Sequence, residues 1–167
     1  MISRLLYLLS VLSLFTVFSL PALSADSGGE PDQVVKVVYH ADFADPRRYS
    51  AMLTSINNMV THYQNELIDY DVRIVFVSHG IRFVTDDKLD KTPFSSDAAL
   101  EERRENLHGR LSALNAVQGV KLELCDITRT QISLPEDKLY KGVKLVHSGV
   151  VRLAEMQHQG YAYLKIE

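Results

Sequence analysis

The segment VVKVVYHADFADPRRY, residues 34–49, contains the two features that decide the fold. Its first six residues are β-branched or aromatic except for Lys36, a pattern typical of a buried strand in a parallel sheet. Asp45 and Pro46 then provide the N-cap and the first residue of a helix. Apolar side chains follow at steps of three and four residues along one face of that helix: Tyr49, Met52, Leu53, Ile56, Met59, Val60, Tyr63 and Leu67. The segment therefore predicts a strand that leads directly into a long amphipathic helix.

The rest of the chain repeats this alternation of strand and helix. Further apolar runs and periodic segments predict strands at 72–77, 120–124, 143–146 and 161–166, and helices at 98–117 and 150–159. The polar segment TDDKLDKTPFSSD, residues 85–97, predicts an exposed loop that is either a lid or simply mobile. Strands and helices that alternate at this spacing imply parallel strands joined by right-handed crossovers. We therefore predict the α/β class, as a three-layer α/β/α domain with a five-stranded parallel sheet.

Residues 1–25 have the layout of a secretory signal peptide. Arg4 provides the positive charge, residues 5–20 are mostly apolar, and small residues suited to cleavage follow: Ala22, Ser24 and Ala25. An uncleaved membrane anchor is the alternative, although the apolar stretch is slightly short for a membrane span. We expect a periplasmic or secreted protein that is free of the membrane after cleavage. A polar linker is predicted at 26–33 and a single domain at 34–167.

Composition and charge exclude several broad classes of function. The 167 residues are 46% hydrophobic and 23% charged, as in globular domains rather than disordered chains. The formal net charge of −3 argues against a general nucleic-acid-binding surface, so no nucleic-acid partner is expected. The glycine-rich nucleotide motifs and the GxSxG motif of hydrolases are missing from the sequence, and no cofactor is expected. Cys125 is the sole cysteine, so no intramolecular disulfide can form.

Reactive side chains follow the predicted strands at the edge where their carboxyl ends meet. In open parallel sheets, ligands bind in the crevice outside that edge. The residues at these strand ends are His40, Ser78-His79-Gly80, Cys125 and His147-Ser148-Gly149. The alternative is structural, since polar residues often end strands and a free cysteine often packs as a small buried hydrophobe. The coincidence of three histidines with the only cysteine nevertheless indicates a candidate site.

Cys125 is the candidate reactive group at this edge. If residues 126–131 begin a helical turn, their amides would point at the sulfur and favour the thiolate. A protonated His79 or His147 would add to that effect, whereas the carboxylate of Asp126 would oppose it. We therefore predict an accessible thiol rather than a strongly acidic one.

The C-terminal half contains three segments that together resemble a known family. These segments are GVKLELCDIT at 119–128, GVKLVHSGV at 142–150 and LAEMQHQGYAYLK at 153–165. The combination resembles the DsrE/DsrF-like sulfur-relay family, especially its small exported members. A looser similarity covers residues 35–79, so the resemblance extends over nearly the whole predicted domain outside residues 85–97.

This resemblance implies a five-stranded parallel sheet and a homo-oligomer, either a trimer or a hexamer. It also implies that the third strand lies between the second and the fourth, which would place Cys125 between His79 and His147. Family members with a cysteine at this position are thought to carry sulfur as a persulfide. Cys125 is accordingly the expected catalytic residue, with a sulfur donor or acceptor protein as a partner. The expected binding residues are His40, His79, Thr128, His147 and Ser148.

The sequence departs from the family pattern at one place beside the cysteine. The family commonly has Cys-x-Asn-Thr, whereas this chain has Cys125-Asp126-Ile127-Thr128. Replacing the asparagine removes an amide donor near the sulfur, which bears on activity but not on the fold.

Three functions remain open at the level of the sequence. The first is sulfur handling by Cys125, for which export is a difficulty because an oxidising compartment would oxidise an exposed thiol. The second is a non-enzymatic module for small-ligand binding or assembly, in which Cys125 is structural. The third is a zinc or copper site formed by His79, Cys125 and His147, although no metal-binding motif supports it.

Overall fold

The computed structural model describes residues 34–166 and contains one five-stranded parallel sheet. The predicted signal peptide at 1–25 and the predicted linker at 26–33 lie outside the described residues. The strands are β1 (Val35–Ala41), β2 (Tyr70–Phe76), β3 (Lys121–Cys125), β4 (Val143–Val146) and β5 (Ala162–Leu164). Their order across the sheet is β4-β3-β2-β1-β5, so β3 lies between β2 and β4 as the family resemblance implied.

Helices lie on both sides of the sheet, and the predicted three-layer α/β/α fold is therefore confirmed. The α-helices are α1 (Pro46–Asn65), α2 (Ala98–Glu101), α3 (Arg104–Ala116), α4 (Asp126–Gln131) and α5 (Gly149–His158). Two 3-10 turns accompany them at Ser78–Phe83 and Glu136–Lys138. The helix α1 begins as predicted, because the Asp45 carboxylate accepts a hydrogen bond from the backbone amide of Arg47 and Pro46 follows the cap.

One face of the sheet packs against α1 and α3 and contains most of the hydrophobic core. Side chains alternate along each strand, so every second residue of β1, β2 and β3 faces these two helices. This core includes Val37, Tyr39, Ile74, Phe76, Leu122 and Leu124 from the strands, with Tyr49, Ile56, Leu107 and Leu111 from the helices. We call this the α1/α3 face.

The opposite face packs against α5 and has a smaller apolar cluster. That cluster consists of Val38, Val75, Leu153, Met156 and Tyr161, with Val77 packed against it. The remaining side chains of β2 and β3 on this side are Asp71, Arg73, Lys121, Glu123 and Cys125. We call this the α5 face.

Of two predictions about the segment between β2 and β3, one is wrong and one is confirmed in part. The helix predicted at 98–117 is divided into α2 and α3, because the backbone leaves the helical path at Arg103, with φ −108° and ψ −10°. Residues 85–97 form the predicted loop and most of them are exposed, but Leu89 and Phe94 are buried in the core and hold the loop against the domain. The Thr92 hydroxyl also bonds the carbonyl of Leu89, which folds the segment back on itself. The other strand and helix limits agree with the predictions to within two residues.

In the part of the chain that the structure describes, no helix combines the length and apolar character needed to cross a bilayer.

Candidate functional site

Cys125 is the last residue of β3 and lies at the carboxyl edge of the sheet, next to Val146 of β4. Its side chain shares the α5 face with Glu123, two residues earlier in the strand. The helix α4 begins directly at Asp126, so the chain turns sharply after the cysteine. A helical turn at 126–131 was the condition for a stabilised thiolate in the sequence analysis, and α4 is that turn.

Two helix N-termini supply polar groups to the sulfur of Cys125. Burial raises the pKa of the thiol, but the backbone amides of Gly149, Thr128 and Ile127 and the hydroxyl of Thr128 lower it through hydrogen-bond interactions. The net effect is a pKa below the ordinary value of cysteine. Gly149 is the first residue of α5, and the other donors belong to α4. Oriented amides and helix dipoles of this kind favour the anionic form of the sulfur.

Gly149 allows the start of α5 to approach Cys125 closely. A Cβ atom added at Gly149 would lie 3.1 Å from the Cβ of Cys125 and 2.5 Å from the Cγ2 of Val77. There is no room for a larger residue without displacement of its neighbours. Glycine is therefore required here for the start of α5 to pack this closely on the side chains of Cys125 and Val77.

Thr128 links the sulfur to the turn that follows β2. Its side-chain oxygen accepts a hydrogen bond of 3.1 Å from the backbone amide of Ser78, and the residue is 5% exposed. Because the oxygen is the acceptor there, the hydroxyl hydrogen can be directed toward Cys125. The turn itself fits tightly over β1, since a Cβ at Gly80 would lie 2.0 Å from the carbonyl oxygen of Ala41.

The exposed thiol that the sequence predicted is not present. Cys125 is buried and 4% exposed, because the first turn of α5 packs directly against it. The surroundings of the sulfur are polar on one side, however, and so differ from those of a cysteine enclosed by aliphatic groups. Two exposed apolar side chains, Ile127 and Val150, adjoin the donor amides along the chain.

Asp126 has less effect on the sulfur than the sequence suggested. Its carboxylate accepts a hydrogen bond of 2.7 Å from the guanidinium of Arg129, one turn further along α4. The ion pair offsets the negative charge that would oppose a thiolate. Ile127, where the family commonly has asparagine, contributes its backbone amide while its side chain remains exposed.

The two histidines expected beside Cys125 are at the same edge of the sheet, but their surroundings differ. The ring of His79 lies edge-on to Phe94 with 5.3 Å between centroids, and its Nδ1 is 3.3 Å from the Ser78 hydroxyl. His147 is exposed and directly follows Val146, the neighbour of Cys125 in the sheet. The main influences on the pKa of the thiol are burial, backbone amides and a hydroxyl rather than an imidazole.

His40 is not brought to Cys125. It pairs with Val75 in the sheet, and Val75 pairs with Glu123, so His40 is two strands and two residues away. That offset corresponds to about 12 Å between Cα atoms. The Nδ1 of His40 instead lies 2.9 Å from the hydroxyl of Tyr163 on the edge strand β5.

Ser148 has a structural contact that explains its position. Its hydroxyl caps α5 by accepting a hydrogen bond from the backbone amide of Val151. The cap fixes where α5 begins and thereby where the Gly149 amide lies.

The zinc or copper alternative receives no support from the arrangement of side chains. Within residues 34–166, no group of three or more histidine, cysteine, aspartate or glutamate side chains is placed to hold a metal ion.

Sequence reasoning missed the carboxylate nearest to Cys125 along the strand. Glu123 is buried in the middle of β3 and is held by Arg73 of β2 and Arg152 of α5. A charged residue inside the otherwise apolar run LEL could have indicated a buried ion pair, since such residues are rarely buried without a partner. The identity of the partners could not be read, because they are about 30 to 50 residues away.

Comparison with known proteins agrees with this architecture. A model of the DsrE/DsrF-like family matches residues 33–166. The chain is similar to the protein of unknown function MTH1491 from Methanobacterium thermoautotrophicum, with a TM-score of 0.59 and 24% identity over 78% of this chain and 98% of that one. It is also similar to the ychN protein from E. coli, with a TM-score of 0.54 and 20% identity over 80% of this chain and 100% of that one. No curated protein matches the chain significantly.

Proposed function

Because the chain belongs to the DsrE/DsrF-like family, we propose that it is a sulfur carrier that holds sulfur as a persulfide on Cys125. The observation that supports this most directly is that α4 begins next to Cys125 and the first turn of α5 packs against it, so that their amides and the Thr128 hydroxyl lower the pKa of the thiol. A structural cysteine needs no such donors, whereas a sulfur that becomes anionic during a reaction is stabilised by them.

The proposed reaction exchanges one sulfur–sulfur bond for another. The Cys125 thiolate attacks a sulfane sulfur of a polysulfide, a bond forms between the two sulfurs, and the shortened polysulfide leaves with the electron pair of the broken bond. An acceptor thiolate then attacks the terminal sulfur of the persulfide. That step releases the Cys125 thiolate and transfers the sulfur as a persulfide on the acceptor, so no external oxidant or reductant is needed.

Access to the sulfur requires a small local opening, because Cys125 is nearly buried. The exposed side chains of Ile127 and Val150 adjoin the donor amides, so a shift of these first helical turns would uncover the thiol. Local openings of this kind need far less free energy than global unfolding. The same burial protects a lone thiol from oxidation in an exported protein.

The test is mass spectrometry of the intact protein after incubation with polysulfide. We expect an adduct of about 32 Da on the wild-type protein, and its removal when an excess of a small thiol is added. The Cys125→Ala variant is the control for the site and should gain no mass. Absence of the adduct from the wild-type protein, or its presence on both proteins, would contradict the proposal.

Burial of Cys125 favours a second candidate function, a small-ligand-binding or assembly module in which the cysteine is structural. In that case the thiol would react with a disulfide reagent only as fast as the protein unfolds. A reaction in the native protein that is much faster than global unfolding supports the sulfur carrier instead. The Cys125→Ala variant would leave ligand or partner binding intact under this second candidate function, and its lower melting temperature would reflect lost packing.

The proposal includes export and self-assembly as well as sulfur transfer. The charged, apolar and small-residue succession in residues 1–25 supports cleavage of a signal peptide after Ser24 or Ala25. The mass of the protein recovered from the periplasmic or secreted fraction tests this directly. Light scattering of the same material distinguishes a homotrimer or hexamer from a monomer.

A further inference from the structure

Glu123 is a buried charge in the centre of β3, with its carboxylate bound by two arginines. Its Oε2 accepts a hydrogen bond of 2.7 Å from Nε of Arg152, and its Oε1 accepts one of 3.0 Å from a terminal nitrogen of the same guanidinium. Arg73 donates a third bond of 2.8 Å to Oε1. Burial raises the pKa of Glu123, but the hydrogen bonds from both arginines lower it, and the carboxylate is ionised at neutral pH.

The Glu123–Arg152 ion pair joins the same strand and the same helix that meet at the Cys125 sulfur. Glu123 and Cys125 are two residues apart on one strand and therefore face the same side of the sheet. Arg152 and Gly149 are three residues apart on α5, which is about one helical turn. The ion pair and the close packing of Gly149 against Cys125 are thus two successive contacts between the same strand and the same helix.

We propose that the Glu123–Arg152 ion pair is a positioning device that holds the first turn of α5 against β3, so that the Gly149 amide points at the Cys125 sulfur. The paired hydrogen bonds fix both the distance and the rotation of the helix, because a guanidinium and a carboxylate match in one planar geometry. Neither side chain needs to touch the sulfur for this effect. The inference rests on the proposed function of Cys125.

Direct electrostatics is the competing explanation, and it predicts a different pattern. The elements around the sulfur carry the following charged side chains and histidines: Asp71 and Arg73 on β2, His79 and Arg82 in the turn after it, Lys121 and Glu123 on β3, Asp126 and Arg129 on α4, Lys144 and His147 on or after β4, and Arg152, Glu155 and His158 on α5. If Glu123 and Arg152 acted only through their charges, loss of the carboxylate would lower the pKa of Cys125 and loss of the guanidinium would raise it. If they act by positioning α5, either loss raises the pKa, because the Gly149 amide is released in both cases.

The experiment follows Cys125 by carbon NMR in the protein labelled with ¹³C at the cysteine Cβ. The single cysteine gives a single signal whose pH titration reports the thiol without requiring solvent access. We expect Glu123→Gln and Arg152→Gln each to raise the pKa of Cys125 by about one unit. At any pH below the pKa of the wild-type thiol, that shift lowers the thiolate fraction about tenfold. Glu105→Gln, an exposed glutamate on α3 at the other side of the sheet, is the matched control and should leave the titration unchanged.

Two further variants keep the test decisive if a buried charge change impairs folding. Arg152→Lys preserves the charge with fewer hydrogen bonds, so positioning predicts an intermediate rise, whereas direct electrostatics predicts none. The double variant Glu123→Gln with Arg152→Gln should raise the pKa no more than either single change, because both remove the same contact. Shifts of opposite sign, or folded variants with an unchanged titration, would overturn the proposal.

The titration also separates this inference from the proposed function. It uses no sulfur donor, so the expected shifts with no persulfide on the wild-type protein would leave the positioning intact and reject sulfur transfer. A persulfide on the wild-type protein with no shift in the variants would reject the positioning and leave sulfur transfer intact.

Discussion

The two faces of the sheet are built from alternate residues of the same strands, yet they differ in chemistry. In β3, Leu122 and Leu124 pack into the large core on the α1/α3 face, whereas Glu123 and Cys125 lie on the α5 face. Burial on the first face is almost purely apolar. On the second face, a small apolar cluster adjoins an ion-pair network and the candidate reactive sulfur.

Alternate residues of one strand can therefore contribute to stability on one face and to chemistry on the other. The α1/α3 face provides the larger buried apolar area, which is the main source of folding free energy. The α5 face can then accommodate buried charges and a polar sulfur site, which add little net stability of their own. Changes to the α1/α3 face should therefore lower stability most, and changes to the α5 face should alter the chemistry of Cys125 as well.

A matched pair of leucine substitutions gives the largest expected effect. Leu111→Ala on α3 should lower the free energy of unfolding by about 3–4 kcal/mol, because Leu111 is 1% exposed in the large core. Leu153→Ala on α5 should cost about 2–3 kcal/mol, since Leu153 is 6% exposed in the smaller cluster. Urea unfolding monitored by circular dichroism measures both values.

The pKa of Cys125 should also distinguish the two leucine variants. Leu153→Ala loosens α5 and should raise the pKa of the thiol, whereas Leu111→Ala should leave it unchanged despite the larger loss of stability. An equal shift in both variants would mean that the sulfur reports general loosening of the fold rather than the seating of one helix.

Thr128→Val tests the polar side of the sulfur with an isosteric change. The valine removes the acceptor for the Ser78 amide and the hydroxyl that interacts with Cys125. We expect a loss of about 1–2 kcal/mol in unfolding free energy, together with a higher pKa of the thiol. Thr130→Val on the same helix is the control, because the Thr130 hydroxyl donates to the carbonyl of Asp126. If both variants titrate like the wild type, the hydroxyl of Thr128 is not a donor to the sulfur.

The sequence was sufficient to predict the fold because the signals for it are local. The buried run at β1, the cap at Asp45 and Pro46, and the periodic face of α1 each lie within a few consecutive residues. The division between α2 and α3 was missed because both segments keep the helical period of apolar residues. The burial of Leu89 and Phe94 in the loop 85–97 was missed because these few apolar residues are separated by polar ones.

The candidate site was only partly predictable, because its main donors are backbone groups. The sequence could place Cys125, Thr128 and Ser148 near one edge of the sheet from strand ends alone. It could not predict that the Gly149 amide approaches the sulfur, since this depends on how α5 packs across β3. It also gave weight to His40, which the sheet order places two strands away. Side-chain chemistry is visible in a sequence, whereas the direction of a backbone amide is a result of tertiary packing.

Asp71→Asn tests the far end of the polar network on the α5 face and has the smallest expected effect. Burial raises the pKa of Asp71, but hydrogen bonds from Arg73, Lys121 and Tyr161 lower it to about 2. A carboxyl whose pKa is lower in the folded protein stabilises it above the unfolded-state pKa of 3.8, and this contribution disappears as the pH falls toward 2. We expect the variant to lose about 1 kcal/mol at neutral pH, because the group is partly exposed.

The fall in unfolding free energy at acid pH shows whether the Asp71 ion pairs on the α5 face add pH-dependent stability. Urea unfolding between pH 5 and about pH 2 should show a steep fall for the wild-type protein and a shallower one for Asp71→Asn. Asp90→Asn, an exposed change in the segment 85–97, should follow the wild-type curve. Asp97 and Glu101, beside the α1/α3 face, also have a lowered pKa because of bonds that include those from Arg82 and Arg104, so part of the acid fall should remain in Asp71→Asn. An acid fall that is unchanged in Asp71→Asn would mean that the ion pairs of the α5 face position side chains without adding pH-dependent stability.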